Sequence, residues 1–145
     1  MGRDATCAHL FVYGTLMPAA TTRLGTEQRA RLLAEGTHLG RGFVEGQLVD
    51  LGDYPGLCVT GERGRVVRGD VFALNSPVAT FGWLDIYEGI EPDELVPEYR
   101  RVTLPVLMHN AASETIRAWA YVLQTAPDPR TLLDAELWPG HCGRV

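Results

Sequence analysis

Apolar positions in this chain come in short blocks, and glycine closes most of them. His9-Leu10-Phe11-Val12-Tyr13 is the first block and stops at Gly14. So short and continuous an apolar run predicts a buried strand. Irregular chain follows from Thr15 to Gly25. Thr26 is placed to cap a helix from Glu27 to about Glu35, which Gly36 would end. Glu27 suits the positive end of its dipole, and Leu32 and Leu33 are available to the core. From Gly36 to Gly52 glycines recur every few residues, and Phe43-Val44-Glu45-Gly46-Gln47-Leu48-Val49 alternates only in part. That is the pattern of a sharply bent strand, as small barrels require. Tyr54-Pro55-Gly56 reads as a turn, Leu57-Cys58-Val59 as a short strand, and Arg65 to Leu74 as a further strand with Gly69 inside it.

Asn75 or Ser76 then caps a second helix, with Pro77 at its favoured first position. The helix runs to Glu88, and Gly89 ends it. Two long strands follow, Tyr99 to Leu107 and Thr115 to Leu123, with Pro105 marking an edge or a bulge. A short helix is open to the segment Thr131 to Leu137. Strands and helices do not alternate, so a doubly wound sheet is excluded. An α+β fold is predicted, a small and mostly antiparallel β-barrel of about six strands.

On the second helix Val78, Phe81, Leu84 and Glu88 share one face. Glu88 therefore prolongs an apolar stripe, and it lies beside the negative end of the helix dipole. Both effects oppose ionisation and raise a carboxyl pKa, which suits a group that takes and gives a proton near neutrality. The plainer alternative is a glutamate that rims the stripe and reaches solvent. Asp85 is the rival carboxylate. The strand end Tyr13-Gly14-Thr15-Leu16 offers either an ordinary turn or a set of N–H groups that cradle an anion or a carbonyl oxygen.

Composition narrows the chemistry. The chain has 145 residues and a net charge of -5; all 13 of its basic residues are arginine. One domain, residues 1–145, is expected. Without lysine there is no Schiff-base chemistry and no phosphate-loop lysine. The acidic balance argues against nucleic acid as a partner. No apolar run approaches the ~18 residues of a membrane span, and Met1 to Cys7 lacks a signal peptide's apolar stretch, so no membrane partner and a cytoplasmic location are expected. Cys7, Cys58 and Cys142 are too few and too scattered for a disulfide framework and read as structural thiols. His9, His38, His109 and His141 are isolated, so no metal is expected.

Taken together, several segments resemble the gamma-glutamylcyclotransferase-like family: Phe11 to Leu16, Asp53 to Leu57, Trp83 to Gly89, Glu98 to Val102, and Ala118 to Val122. Their order and approximate spacing agree from residue 9 to about residue 124. Within it, the chain resembles the gamma-glutamylamine cyclotransferase type. The resemblance implies a mixed barrel with two or three flanking helices. It implies an enzyme that forms 5-oxoproline and releases an amine or amino acid from a small-molecule gamma-glutamyl substrate. It makes Glu88 the general acid and base. Tyr13, Gly14, Thr15 and Leu16 then bind the glutamyl part, largely through backbone groups. Tyr99 walls the pocket or hydrogen-bonds the carboxylate, with a plain core tyrosine as the other reading. No cofactor is needed, because the substrate's own amine is the nucleophile. A monomer or weak homodimer is expected.

Departures accompany the resemblance. Met17-Pro18-Ala19-Ala20-Thr21-Thr22 lacks the glycine and the asparagine–histidine pair of many members, which opens the leaving-group preference. Residues 1–8 run past the usual start and are free to be disordered. Arg100 and Arg101 point to opposite faces of a strand, and surface exposure is expected for both. Two other readings stay open, a non-catalytic binding module on the same fold and a cyclisation on a larger carrier.

Overall fold

The computed structural model describes residues 7–18, 20, 25–52, 54–59, 65–90, 97–133 and 135–138. Its elements are β1 (His9–Val12), α1 (Thr26–Glu35), β2 (Gly36–Glu45), β3 (Gln47–Asp50), β4 (Pro55–Cys58), β5 (Val66–Leu74), α2 (Pro77–Tyr87), β6 (Tyr99–Met108) and β7 (Thr115–Leu123). The strands β1-β5-β2-β6-β7 close into a barrel, and β3 and β4 form a separate hairpin sheet. All barrel pairings are antiparallel except β1 with β7, which run parallel at Leu10 and Trp119. The fold is therefore α+β with a mixed barrel, as expected, but five strands make the barrel and two lie outside it.

The pleat sorts side chains between two cores, because successive residues of a strand face opposite sides. On β7, Ala118, Ala120 and Val122 join Phe11, Val71 and Val106 in the first core. Tyr121 and the partly buried Trp119 and Leu123 join Leu10, Val12, Leu32 and Phe81 in the second, where the helices pack. Pro105 sits on β6 beyond the two residue pairs that join β6 to β2, so its missing N–H leaves that seam intact.

Gly46 carries the expected bend. Its φ of +157 suits glycine, and a Cβ there would meet Leu57 Cδ1 at 2.8 Å and Cys58 O at 2.9 Å. The chain leaves the barrel at this point and enters the β3–β4 hairpin.

Local expectations fail at six places. Gly25, not Thr26, is the N-cap of α1, and Thr26 is its first helical residue. Leu32 is fully buried while Leu33 is 52% exposed, since neighbours on a helix lie about 100° apart and only one can face the sheet. Val78 is 87% exposed, so the buried stripe of α2 starts at Phe81. Pro55 and Gly56 belong to β4, not to a turn. Arg101 is half-buried against Asp85. The tail forms a single 3-10 turn, Pro129–Thr131, in place of a helix from Thr131. Leu132 bridges to Val49 and the Leu133 N–H donates to Leu48 O, so pairing with β3 takes the place of helix there. Residues 1–6 and Cys142 lie outside the described residues. Ala8 O accepts from the Leu74 N–H at 2.7 Å, and Cys7 O from Trp119 Nε1 at 3.1 Å. No helix among the described residues is long and apolar enough to cross a membrane.

Candidate functional site

At the end of β1 the chain turns, with the Met17 N–H donating to Gly14 O at 3.0 Å. This turn, the end of α2, the start of β6 and the Tyr54–Pro55 segment surround a cavity of about 480 Å³. Tyr13, Gly14, Thr15, Leu16, Glu88 and Tyr99 all line it. The structure thus brings these six residues around one cavity, while Asp85, the rival carboxylate, does not line it.

Glu88 is the C-cap of α2. Its N–H donates to Leu84 O at 2.9 Å, and Gly89 follows with a φ of +85, the left-handed close that glycine allows. The residue is half-buried, one step beyond buried Phe81 and Leu84. Burial, then the charge of Asp85, then that of Glu98 push its carboxyl up to about 8. Asp85, the rival, is committed elsewhere. It accepts from Arg101 Nε at 2.8 Å, Arg101 Nη2 at 3.2 Å and Tyr121 OH at 2.6 Å. Arg101 in turn lies over the rings of Phe81 and Trp119, 3.9 and 4.5 Å from their centroids.

Gly14 serves the site by its smallness. A Cβ there would stand 2.8 Å from both Cδ and Cγ of Pro55, so the missing side chain lets the turn lie directly against β4. The Thr15 hydroxyl pairs with Tyr87 OH at 2.9 Å, and Thr15 O accepts from Arg29 Nη1 at 2.6 Å.

Tyrosines make up much of the wall. Tyr13 OH donates to Tyr121 O at 2.6 Å, and Tyr99 OH donates to Pro55 O at 2.7 Å. Tyr99 therefore walls the cavity while its hydroxyl goes to backbone, not to Glu88. Burial first raises the pKa of Tyr13, Tyr99 and Tyr121; nearby ionisable groups come second for Tyr13 and Tyr99, and the hydrogen bond to Asp85 comes second for Tyr121. These phenols stay neutral and act as donors. Tyr54 OH donates to Glu98 Oε1 at 2.9 Å at the cavity rim. Among the described residues no three His, Cys, Asp or Glu side chains gather into a metal-binding group.

Sequence reasoning passed over Tyr54, Tyr87, Glu98, Tyr121 and Arg29. The first four stand inside or beside the segments that carry the family resemblance, so the signal was present. Arg29 belongs to α1, outside all of those segments. In the divergent loop after Leu16, Met17 and Ala20 are buried in the helix-side core, and residues 19 and 21–22 lie outside the described residues.

The model of the family described as gamma-glutamyl cyclotransferase, AIG2-like, matches residues 10–139. No curated protein matches the sequence. Among solved structures, the crystal structure of an AIG2-like protein from Mus musculus is 24% identical, with a TM-score of 0.67, covering 90% of this chain and 87% of that one. YkqA from Bacillus subtilis is 20% identical with a TM-score of 0.62; 90% of this chain aligns to 39% of YkqA. A protein described as gamma-glutamyl cyclotransferase is 15% identical with a TM-score of 0.53, over 80% of this chain and 66% of that one. At these identities the likeness is one of fold.

Proposed function

Because the chain belongs to the gamma-glutamyl cyclotransferase, AIG2-like family, we propose that it cyclises the glutamyl group of a gamma-glutamyl amine or peptide to 5-oxoproline and releases the amine. The observation that carries this reading is Glu88, a half-buried carboxyl raised to about 8 in the same cavity as the Tyr13–Leu16 turn.

In the empty site Glu88 is mostly protonated at pH 7. A substrate α-ammonium beside it favours the ionised form. The carboxylate then accepts a proton from the ammonium, and the freed amine attacks the γ-carbonyl carbon. A new C–N bond closes the five-membered ring. Glu88 returns its proton to the leaving nitrogen as the old amide C–N bond breaks. In the balance the α-nitrogen loses two protons and the departing nitrogen gains two; Glu88 relays one and solvent exchanges the other. No water is consumed. The nucleophile is part of the substrate, so holding the chain folded in the cavity supplies much of the rate. N–H groups of the turn hold the glutamyl part, and Tyr99 walls the cavity against water.

The test is incubation with a panel of gamma-glutamyl amines and dipeptides, scored by 5-oxoproline. Release by the wild type and its loss in Glu88→Gln are expected. Binding without turnover across the panel replaces this reading with a non-catalytic binding module.

A further inference from the structure

The charges of the cavity do not match a ligand that carries a carboxylate. Among its described lining residues the charged ones are Glu88 and Glu98, both acidic. Arg101 stands behind the wall and is neutralised by Asp85. Among the described residues, the cation that reaches the turn is Arg29, from the first turn of α1. Its Nη1 donates to Thr15 O at 2.6 Å and its Nη2 to Thr26 Oγ1 at 3.2 Å.

A trans peptide holds its C=O and N–H antiparallel. With Thr15 O drawn toward α1, the N–H of Leu16 is turned the other way, and the charge-assisted bond polarises the whole peptide. The clamp has little play. Thr15 Oγ1 is tied to Tyr87 OH at 2.9 Å, and a Cβ on Gly25 would lie 2.9 Å from that hydroxyl and 3.0 Å from Thr15 Oγ1. Burial raises the pKa of Tyr87; the hydrogen bond with Thr15 and, least, the charge of Arg29 work against that shift.

We propose that Arg29 is a positioning residue which gives the turn its preference for a carboxylate, acting through the Thr15–Leu16 peptide. This rests on the reading of the turn as the seat of the glutamyl group. Substrate and product both carry that carboxylate, so the effect falls on binding more than on the chemical step.

The experiment compares 5-oxoproline with its uncharged amide as ligands of the wild type, Arg29→Lys and Arg29→Met, by calorimetry, alongside KM and kcat. In Arg29→Met a loss of roughly tenfold in 5-oxoproline affinity is expected, from the size of one charge-assisted hydrogen bond. The amide changes far less, KM rises while kcat holds within a few-fold, and Arg29→Lys recovers part of the loss. Equal losses for both ligands, or no loss, overturn the assignment, as does a wild type that binds neither. A wild type that prefers the carboxylate through Arg29 yet yields no 5-oxoproline keeps this assignment and overturns the catalytic reading. Should Arg29→Met fail to fold, the same comparison in Arg29→Lys decides.

Discussion

Asp85 and Glu88 stand one helical turn apart at the end of α2, and their surroundings differ in kind. Asp85 is held by the Arg101 guanidinium and the Tyr121 hydroxyl. Glu88 lines the cavity, where burial and the charge of Asp85 both oppose its ionisation. The two acids are coupled, and the paired one helps to keep its neighbour protonated.

Glu88→Gln is expected to keep the fold and to lower turnover by roughly 10²–10⁴-fold, the usual range for a lost acid–base group. In the wild type the ionised form grows as pH approaches about 8, so kcat/KM rises toward that pH. Stability runs the other way. Between the ordinary carboxyl value of ~4.3 and the folded value, the native state keeps a proton that the unfolded chain has lost, so Glu88 weakens the fold as pH rises through that window. Melting curves of wild type and variant are expected to diverge in the variant's favour from pH 5 to 9. Full activity in Glu88→Gln rejects the assignment.

Asp85→Asn removes the countercharge of a guanidinium enclosed by Phe81 and Trp119. Both partners keep about a quarter of their side-chain surface exposed, so a loss of about 1–3 kcal/mol is expected, short of the full cost of a buried orphan charge. With one of its opposing charges gone, the Glu88 pKa falls, and the rising limb of kcat/KM moves to lower pH. Denaturant titration and a pH–rate profile check the two effects separately; an unmoved limb removes Asp85 from the tuning of Glu88.

Glu35 joins the helices. Its Oε1 accepts from Thr80 Oγ1 at 2.7 Å and Trp83 Nε1 at 3.0 Å, while Oε2 accepts from Arg31 Nε at 2.9 Å. The bonds from Thr80 and then Trp83 lower its pKa to about 2. Here the unfolded chain takes up the proton first, so the stabilisation is complete above ~4.3 and fades as pH falls through about 2. Wild type is expected to melt above Glu35→Gln at pH 6, with the gap closing toward pH 2. A constant gap across that range contradicts the linkage.

Gly14→Ala sets a Cβ against the ring of Pro55 at 2.8 Å. Either the turn or the hairpin must move, at about 1–3 kcal/mol for overpacking. A raised KM for gamma-glutamyl substrates is expected beside the lowered melting temperature. An unchanged KM separates the turn from substrate binding.

Much of this architecture was legible because it is local. The α2 boundaries rest on Pro77 and Gly89, and the face carrying Phe81, Leu84 and Glu88 follows from helical spacing. The misreadings share a cause, which is dependence on distant partners. Spacing puts Val78 on the same stripe, but only the packed structure shows that the first turn of α2 leaves it in solvent. Arg101 looks like a surface cation until α2 and β7 bring Asp85, Phe81 and Trp119 around it. The tail past Thr131 has helix-compatible residues, and the backbone of β3 captures it instead. Gly14 was read as a turning residue, and the chain does turn there; what spacing could not show is that Pro55, some forty positions along, leaves no room for a Cβ.

Gly46 has a reach that its own surroundings do not suggest. By turning β2 out of the barrel it delivers Pro55 to the cavity, where that residue backs Gly14 and accepts from Tyr99. The β3–β4 hairpin is thus one wall of the chamber, while Glu88 hangs from a helix that the hairpin does not carry. Substituting Pro55, where the hairpin meets the cavity, would reshape the chamber without touching the helix that carries Glu88. On the proposed reading, part of the chamber's shape and its acid–base group come from different stretches of chain.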